Sequence, residues 1–262
     1  MEFLDMLAPI AQFGEAPVAI FAGVFTRISA LVFFLPALGE RAVAPRIRLG
    51  AAFAIALLLA PIVMAAHPAA PASIVDALPL IAAEAVAGAL IGFTIRIAIF
   101  VLQTAGSIAA QTMSLSQLFG AGLDVQPEPP IATLFMIAGL ALAAAAGLHF
   151  KAVGALAFSY EVMPFGAFPG ASEAGQWAAD RAAFAFSAAF SLALPFVVLG
   201  FVYNLAIGAA NRAMPQLMVA FVGAPAITLA GLAMLALAAP ALLGVWVQML
   251  DAIFAALMGA VR

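Results

Sequence analysis

Apolar residues run in long stretches along this chain, and the breaks between them are short clusters of Pro, Gly and charge. Cutting at those clusters predicts helices near 17–38, 49–66, 77–111, 130–148, 183–210 and 216–250. Residues 150–168 add a re-entrant or short helix. The last run has no charge from Ala213 to Leu250, well beyond the ~20 residues that cross hydrocarbon, so a hairpin or a broken helix is expected near Pro225 or Pro240. The expectation is six to eight helices.

Composition decides what surrounds them. Of 262 residues, 67% are hydrophobic and 8% charged, and the mean hydropathy is +1.22, more apolar surface than a soluble core of this size buries. The fold class that follows is all-α and polytopic, with long apolar helices arranged as broken helices and hairpins in one membrane-type domain over 1–262. Its parts are N-terminal helices over 1–111, a polar loop over 112–130, and C-terminal hairpins over 131–262. A net charge of −3 from 9 basic and 12 acidic residues leaves no basic surface for a phosphate backbone, so nucleic acid is excluded as a partner and membrane lipid takes its place. There is no cysteine, which removes disulfides, thiolate nucleophiles, iron–sulfur clusters and Cys-based zinc sites.

The start of the chain has Glu2, Asp5 and Glu15 where a secretory signal carries Lys or Arg, so the first apolar segment is expected to be retained. Arg41, Arg46 and Arg48 make the first connection a cytoplasmic loop. Orientation stays open beyond that. An outside N-terminus puts Arg212 inside as well, but leaves Lys151, Arg181 and Arg262 outside.

Three charges interrupt apolar helices: Arg27, Glu84 and Arg96. Each costs about 2.5–3.5 kcal/mol at a helix centre, so each needs water, a partner or a helix end. Two readings stand side by side. The charges mark a subunit contact or a water-filled passage, or Glu84 pairs with Arg27 or Arg96 inside one bundle. Glu84 and Arg96 are about three and a third turns apart, so they point in different directions on a straight helix. Gly88-Ala-Leu-Ile-Gly92 has the spacing that lets two membrane helices approach closely.

The most specific pattern lies between Leu192 and Gly223, where a long apolar helix runs into Asn211-Arg212 and a Met-Pro-Gln break. Its Leu194, Pro195, Asn204, Leu205, Gly208, Arg212, Pro215, Gln216 and Gly223 follow an LALP, N-x-A-x-G, N/A-R, PQ series that resembles the FliR/SctT family, the export-gate subunit of flagellar and type III secretion systems. A second stretch, Phe34 to Gly50, is similar to the family through Arg41, Val43, Arg46, Arg48, Leu49 and Gly50, with Pro45 one position late. A third runs from Ile91 through Gln111, Met113, Leu115 and Ser116 to Gly147-Leu-His149. There Thr112 separates Gln111 from Met113, and Asp124 is followed by Val125 where the family has Pro.

Gln111 to Pro130 mixes Ser and Gln with Gly120, Gly122 and the bulky Met113, Leu118 and Phe119. Irregular backbone of this kind belongs in water or inside protein, as a solvated connector or as a seal. The resemblance implies the seal: a plug-like loop built from Gln111, Met113, Leu115, Ser116, Leu118, Phe119, Gly120 and Gly122. Helix breaks and subunit contacts are expected at Pro195, Asn204, Arg212, Pro215 and Gln216, at Arg41 where its loop binds a partner, and, on the first reading of the charges within apolar helices, at Arg27, Glu84 and Arg96.

By the same resemblance the chain is a non-enzymatic part of a protein-conducting gate in the bacterial inner membrane, at the flagellar basal body. The implied partners are FliP and FliQ in a hetero-oligomeric ring, FlhB and FlhA nearby, and unfolded export substrates. No cofactor, metal or catalytic set is expected. His67 and His149 form no zinc motif, Asp124 and Glu128 read as solvated carboxylates, and no GxxxxGK[ST] loop occurs. The alternative is a small solute transporter or ion channel with a midplane site made from Arg27, Glu84 and Arg96.

Overall fold

A computed structural model describes residues 2–40, 42–66, 74–113, 130–213 and 219–259. Seven helices occupy nearly all of them: α1 (Glu2–Phe34), α2 (Pro45–Ala66), α3 (Ile74–Thr112), α4 (Pro130–Ala145), α5 (Leu148–Val162), α6 (Ala171–Ala213) and α7 (Val219–Leu257). Five stretches are long and apolar enough to cross a bilayer: Pro17–Phe34, Pro45–Ala66, Ala77–Thr112, Ala171–Ala213 and Pro225–Leu257. The bent pair of α4 and α5, broken at Ala146-Gly147 with Gly147 at φ 75°, makes a sixth if taken as one span. The protein is therefore a polytopic all-α membrane protein.

Three elements differ from the hydropathy reading: α1 starts at Glu2, ahead of the predicted 17, and ends at Phe34, short of 38, and α6 and α7 depart as well. α6 starts at Ala171, ahead of the predicted 183, because Ala171-Ser-Glu-Ala-Gly-Gln-Trp-Ala-Ala-Asp-Arg181 is rich in helix formers although it is polar. α7 continues through Pro225 and Pro240, where a hairpin or break was expected. Each proline removes one intrahelical hydrogen bond, but its fixed φ is helical and the flanking Ala and Leu carry the helix past it.

Packing divides the described residues into two compact units. The first draws on Met1–Arg96, Gly147–Asp180 and Ala252–Arg262, and the second on Ile97–Ala146 and Arg181–Asp251. In the first, Ile20, Val24, Ile28 and Leu31 recur at helical spacing on α1, and Ala83, Ala87, Ile91 and Ile95 do so on α3; all are buried. Glycine lets these two helices meet backbone to backbone. A Cβ on Gly88 would strike the Arg27 carbonyl, and one on Gly92 would lie 3.0 Å from the Leu31 carbonyl oxygen. Phe53 of α2 meets Phe21 edge-on at 5.5 Å, joining α2 to the same core.

The second unit is built from smaller side chains around a few large ones. Ala98, Leu102, Ala105 and Ala109 of α3, Phe135 of α4, and Ala189, Ala193 and Phe196 of α6 are buried, with the Phe135 and Phe196 rings 6.5 Å apart. Trp246 is the largest wholly buried side chain among the described residues, and its indole N–H donates to the Ala98 carbonyl at 2.7 Å. Gly139 leaves room for Leu102, with the Trp246 ring beyond it.

Candidate functional site

Arg27 and Glu84, wholly buried on α1 and α3, form the most polar point of the first unit. The guanidinium meets the carboxylate bidentately, Nε to Oε2 and Nη2 to Oε1, each at 2.8 Å. Its remaining three N–H groups go to the Ser159 hydroxyl at 3.2 Å and, twice, to the Met163 carbonyl at 3.0 Å. All five donors of the fork are thus used. Glu84 Oε1 also accepts the Gly166 N–H at 2.8 Å, and the Tyr160 ring lies 4.0 Å over the guanidinium carbon.

Such a pair is costly to desolvate and is tolerated when every lone pair and proton finds a partner. Here those partners come from α5 and the loop after it, so one ion pair ties α1 and α3 to residues 159–166. Of the two readings open for Glu84, the structure joins it to Arg27, and both side chains are enclosed by this chain's own residues.

Arg96 instead forms an ion pair with Glu40 in the connection between α1 and α2, and Arg48 donates to the Glu40 carbonyl. That connection turns through Ala37 at φ 73°, a conformation a β-carbon disfavours, and a Gly39 N–H to Leu35 carbonyl bond of 2.6 Å closes it. Arg41 lies outside the described residues.

The stretch from Leu192 onward falls on α6 in the second unit. Pro195 is half-buried inside the helix, and Asn204 is exposed, its amide donating to the Gly200 carbonyl of its own helix at 2.8 Å. Arg212 is exposed in the last turn, where a cation complements the helix dipole. Leu194, Val198, Phe201, Leu205, Gly208 and Arg212 follow one another at steps of four and three, so they share one face. That face is uncovered: all but Gly208 carry exposed side chains, and a Cβ on Gly208 would meet nothing within 4 Å. Pro215 and Gln216 lie outside the described residues.

Of the residues expected to form a seal, Gln111 is exposed at the end of α3, whereas Met113 is wholly buried, its thioether occupying the space a side chain at Gly231 would need. Leu115, Ser116, Leu118, Phe119, Gly120 and Gly122 lie outside the described residues. Sequence reasoning missed the other members of the buried cluster, Ser159, Tyr160, Met163 and Gly166. Two of them contribute backbone groups, which leave no mark on side-chain identity. Glu40 as the partner of Arg96 was missed too, although an acidic residue inside a basic loop was a usable signal.

The family described as bacterial export proteins, family 1, matches residues 18–253. Flagellar biosynthetic protein FliR of Caulobacter vibrioides is 32% identical over 231 residues, 87% of this chain and 92% of the relative. Flagellar biosynthetic protein FliR of Escherichia coli is 30% identical over 217 residues, 82% of each chain. The protein of the same name from Pectobacterium carotovorum is 29% identical over 219 residues, again 82% of each.

Proposed function

Given that this chain belongs to the bacterial export proteins, family 1, and is a membrane component of the flagellar protein-export apparatus, we propose that it is a FliR-type gate subunit that lends helices and a plug-like loop to a protein-conducting channel. In this reading it sits in the bacterial inner membrane and closes a hetero-oligomeric ring with FliP and FliQ, with FlhB and FlhA as neighbours. Unfolded export substrates pass through the centre. The chain supplies seal and scaffold and no bond-making chemistry, so energy for transport comes from elsewhere in the apparatus.

The observation that carries this reading is the uncovered face of α6. Leu194, Leu205, Gly208 and Arg212 are among the residues through which the chain resembles the family, and all four stay exposed among the described residues. A guanidinium and a bare glycine on an apolar membrane helix call for protein neighbours more than for lipid. Arg212, Asn204 and the Pro215-Gln216 break would then fix contacts between subunits. The segment from Gln111 to Gly122 would close the passage, its apolar side chains excluding water and its glycines allowing movement.

The test is to co-express the tagged chain with the neighbouring membrane proteins of its operon and to weigh the purified detergent complex. A defined hetero-oligomer with one copy of this chain is expected; a stable monomer or homodimer without partners would overturn the gate reading. Deleting Gln117–Gly122 is expected to leave that complex intact while making the membrane leak ions. Unchanged conductance would remove the plug.

A further inference from the structure

The first unit carries a half-open cavity of about 550 Å3, within the roughly 300–1,000 Å3 range of small-molecule sites. Phe158 and Val162 of α5, Phe168 of the following loop and Leu257 at the end of α7 give it apolar walls. Ser159 also lines it, but its hydroxyl is already committed, donating to the Leu156 carbonyl at 2.6 Å and accepting from Arg27. Glu173 is the one charged residue of the lining among the described residues. It stands exposed in the first turn of α6, and Trp177 follows it one turn later on the same face.

The depth of this rim is set by the sequence of α6. Glu173, Asp180 and Arg181 fall in its first eleven residues, and then no charge occurs from Ala182 to Asn211. Hydrocarbon therefore begins after Arg181, and Glu173 and Trp177 lie at headgroup level, where tryptophan characteristically settles. A molecule that fits has an apolar body for the walls and a cationic head for a carboxylate beside an indole face.

We propose that this cavity holds an acyl chain of a membrane phospholipid whose primary ammonium headgroup, as in phosphatidylethanolamine, is bound by Glu173 beside Trp177. A phosphatidylglycerol headgroup with the same tails offers no cation and brings its phosphate toward the carboxylate, so it is disfavoured. The inference rests on the membrane location of the chain and not on the gate reading, so either can fail alone.

The test uses the full chain in mild detergent, alone and co-purified with its partners, equilibrated with an equal mixture of the ethanolamine and glycerol lipids of matched tails. Native mass spectrometry reads which lipid stays bound. One ethanolamine lipid per chain is expected, with Glu173→Gln lowering its preference about tenfold, as loss of one charge-assisted contact does. Ala174→Phe, which narrows the mouth from a half-buried position, is expected to remove the bound lipid without changing helix content. Equal retention of both lipids, a Glu173→Gln chain that discriminates as before, or lipid undiminished in Ala174→Phe would overturn the proposal. So would a partner complex that retains no lipid because a partner's apolar side chains fill the cavity.

Discussion

α3 and α7 are almost equally hydrophobic, with mean hydropathies of 2.3 and 2.2 over an 18-residue apolar window of each, yet 61% of the first window and 11% of the second is buried within the chain. Both are uncharged over long runs and both contain prolines. They differ in what stands at each turn. α3 buries Ala83 and Ala87 and presents Gly88 and Gly92 to α1 and Gly106 to the α4 backbone, small residues that admit a neighbour on several sides. α7 turns Leu229, Leu232, Leu237 and Val245 outward and commits few positions, Trp246 above all, to its own chain. Hydropathy says that a helix must be kept from water. The pattern of small and large residues says how much of that task its own chain performs.

The sharpest way to break the comparison is at the polar centre of the closely packed side. Arg27→Ala leaves the Glu84 carboxyl buried without its charged partner, and is expected to cost about 3–5 kcal/mol, read as loss of the monodisperse protein in detergent. Arg27→Met combined with Glu84→Leu is expected to recover much of that loss, because an apolar pair of similar volume needs no partners. A double variant no better than the single one would show that the pair is irreplaceable in this fold.

Next in size is Gly88→Leu. The added side chain meets the Arg27 carbonyl, so α1 and α3 must move apart, and a loss of about 1–3 kcal/mol is expected from thermal unfolding in detergent. Trp246→Phe keeps an aromatic ring but abandons the Ala98 carbonyl, and about 1 kcal/mol is expected from the same measurement. The smallest effect belongs to the open side. Leu237→Ser, at a position 81% exposed, should change the stability of the isolated chain by no more than about 0.5 kcal/mol. Arg212→Ala should likewise leave insertion intact while reducing recovery of the partner complex, and equal recovery would remove α6 from the interface.

Much of this was legible in the chain because apolar run length is a local property. The segments near 49–66 and 77–111 became α2 and α3, and the short helix expected within 150–168 is α5. The start of α6 was hidden because a polar amphipathic turn is helical without being hydrophobic. The persistence of α7 through two prolines was hidden because a proline costs one hydrogen bond and does not by itself reverse the chain. In the candidate site, Arg27, Glu84 and Arg96 stood out as charges that need partners. Which partner each takes depends on contacts made far away in the sequence, such as Met163 for Arg27 and Glu40 for Arg96, and no local pattern encodes that choice.

The Arg27–Glu84 pair also has a timetable. A ribosome delivers α1 and α3 before it delivers Ser159, Met163 and Gly166, so until those residues dock the two charges lack part of the hydrogen bonding they have in the finished fold. The couple is completed when the loop after α5 emerges and docks. An α1–α3 pair without residues 159–166 lacks the partners that Ser159, Met163 and Gly166 give it, so the last polar bonds of the first unit are the ones that the later part of the chain brings.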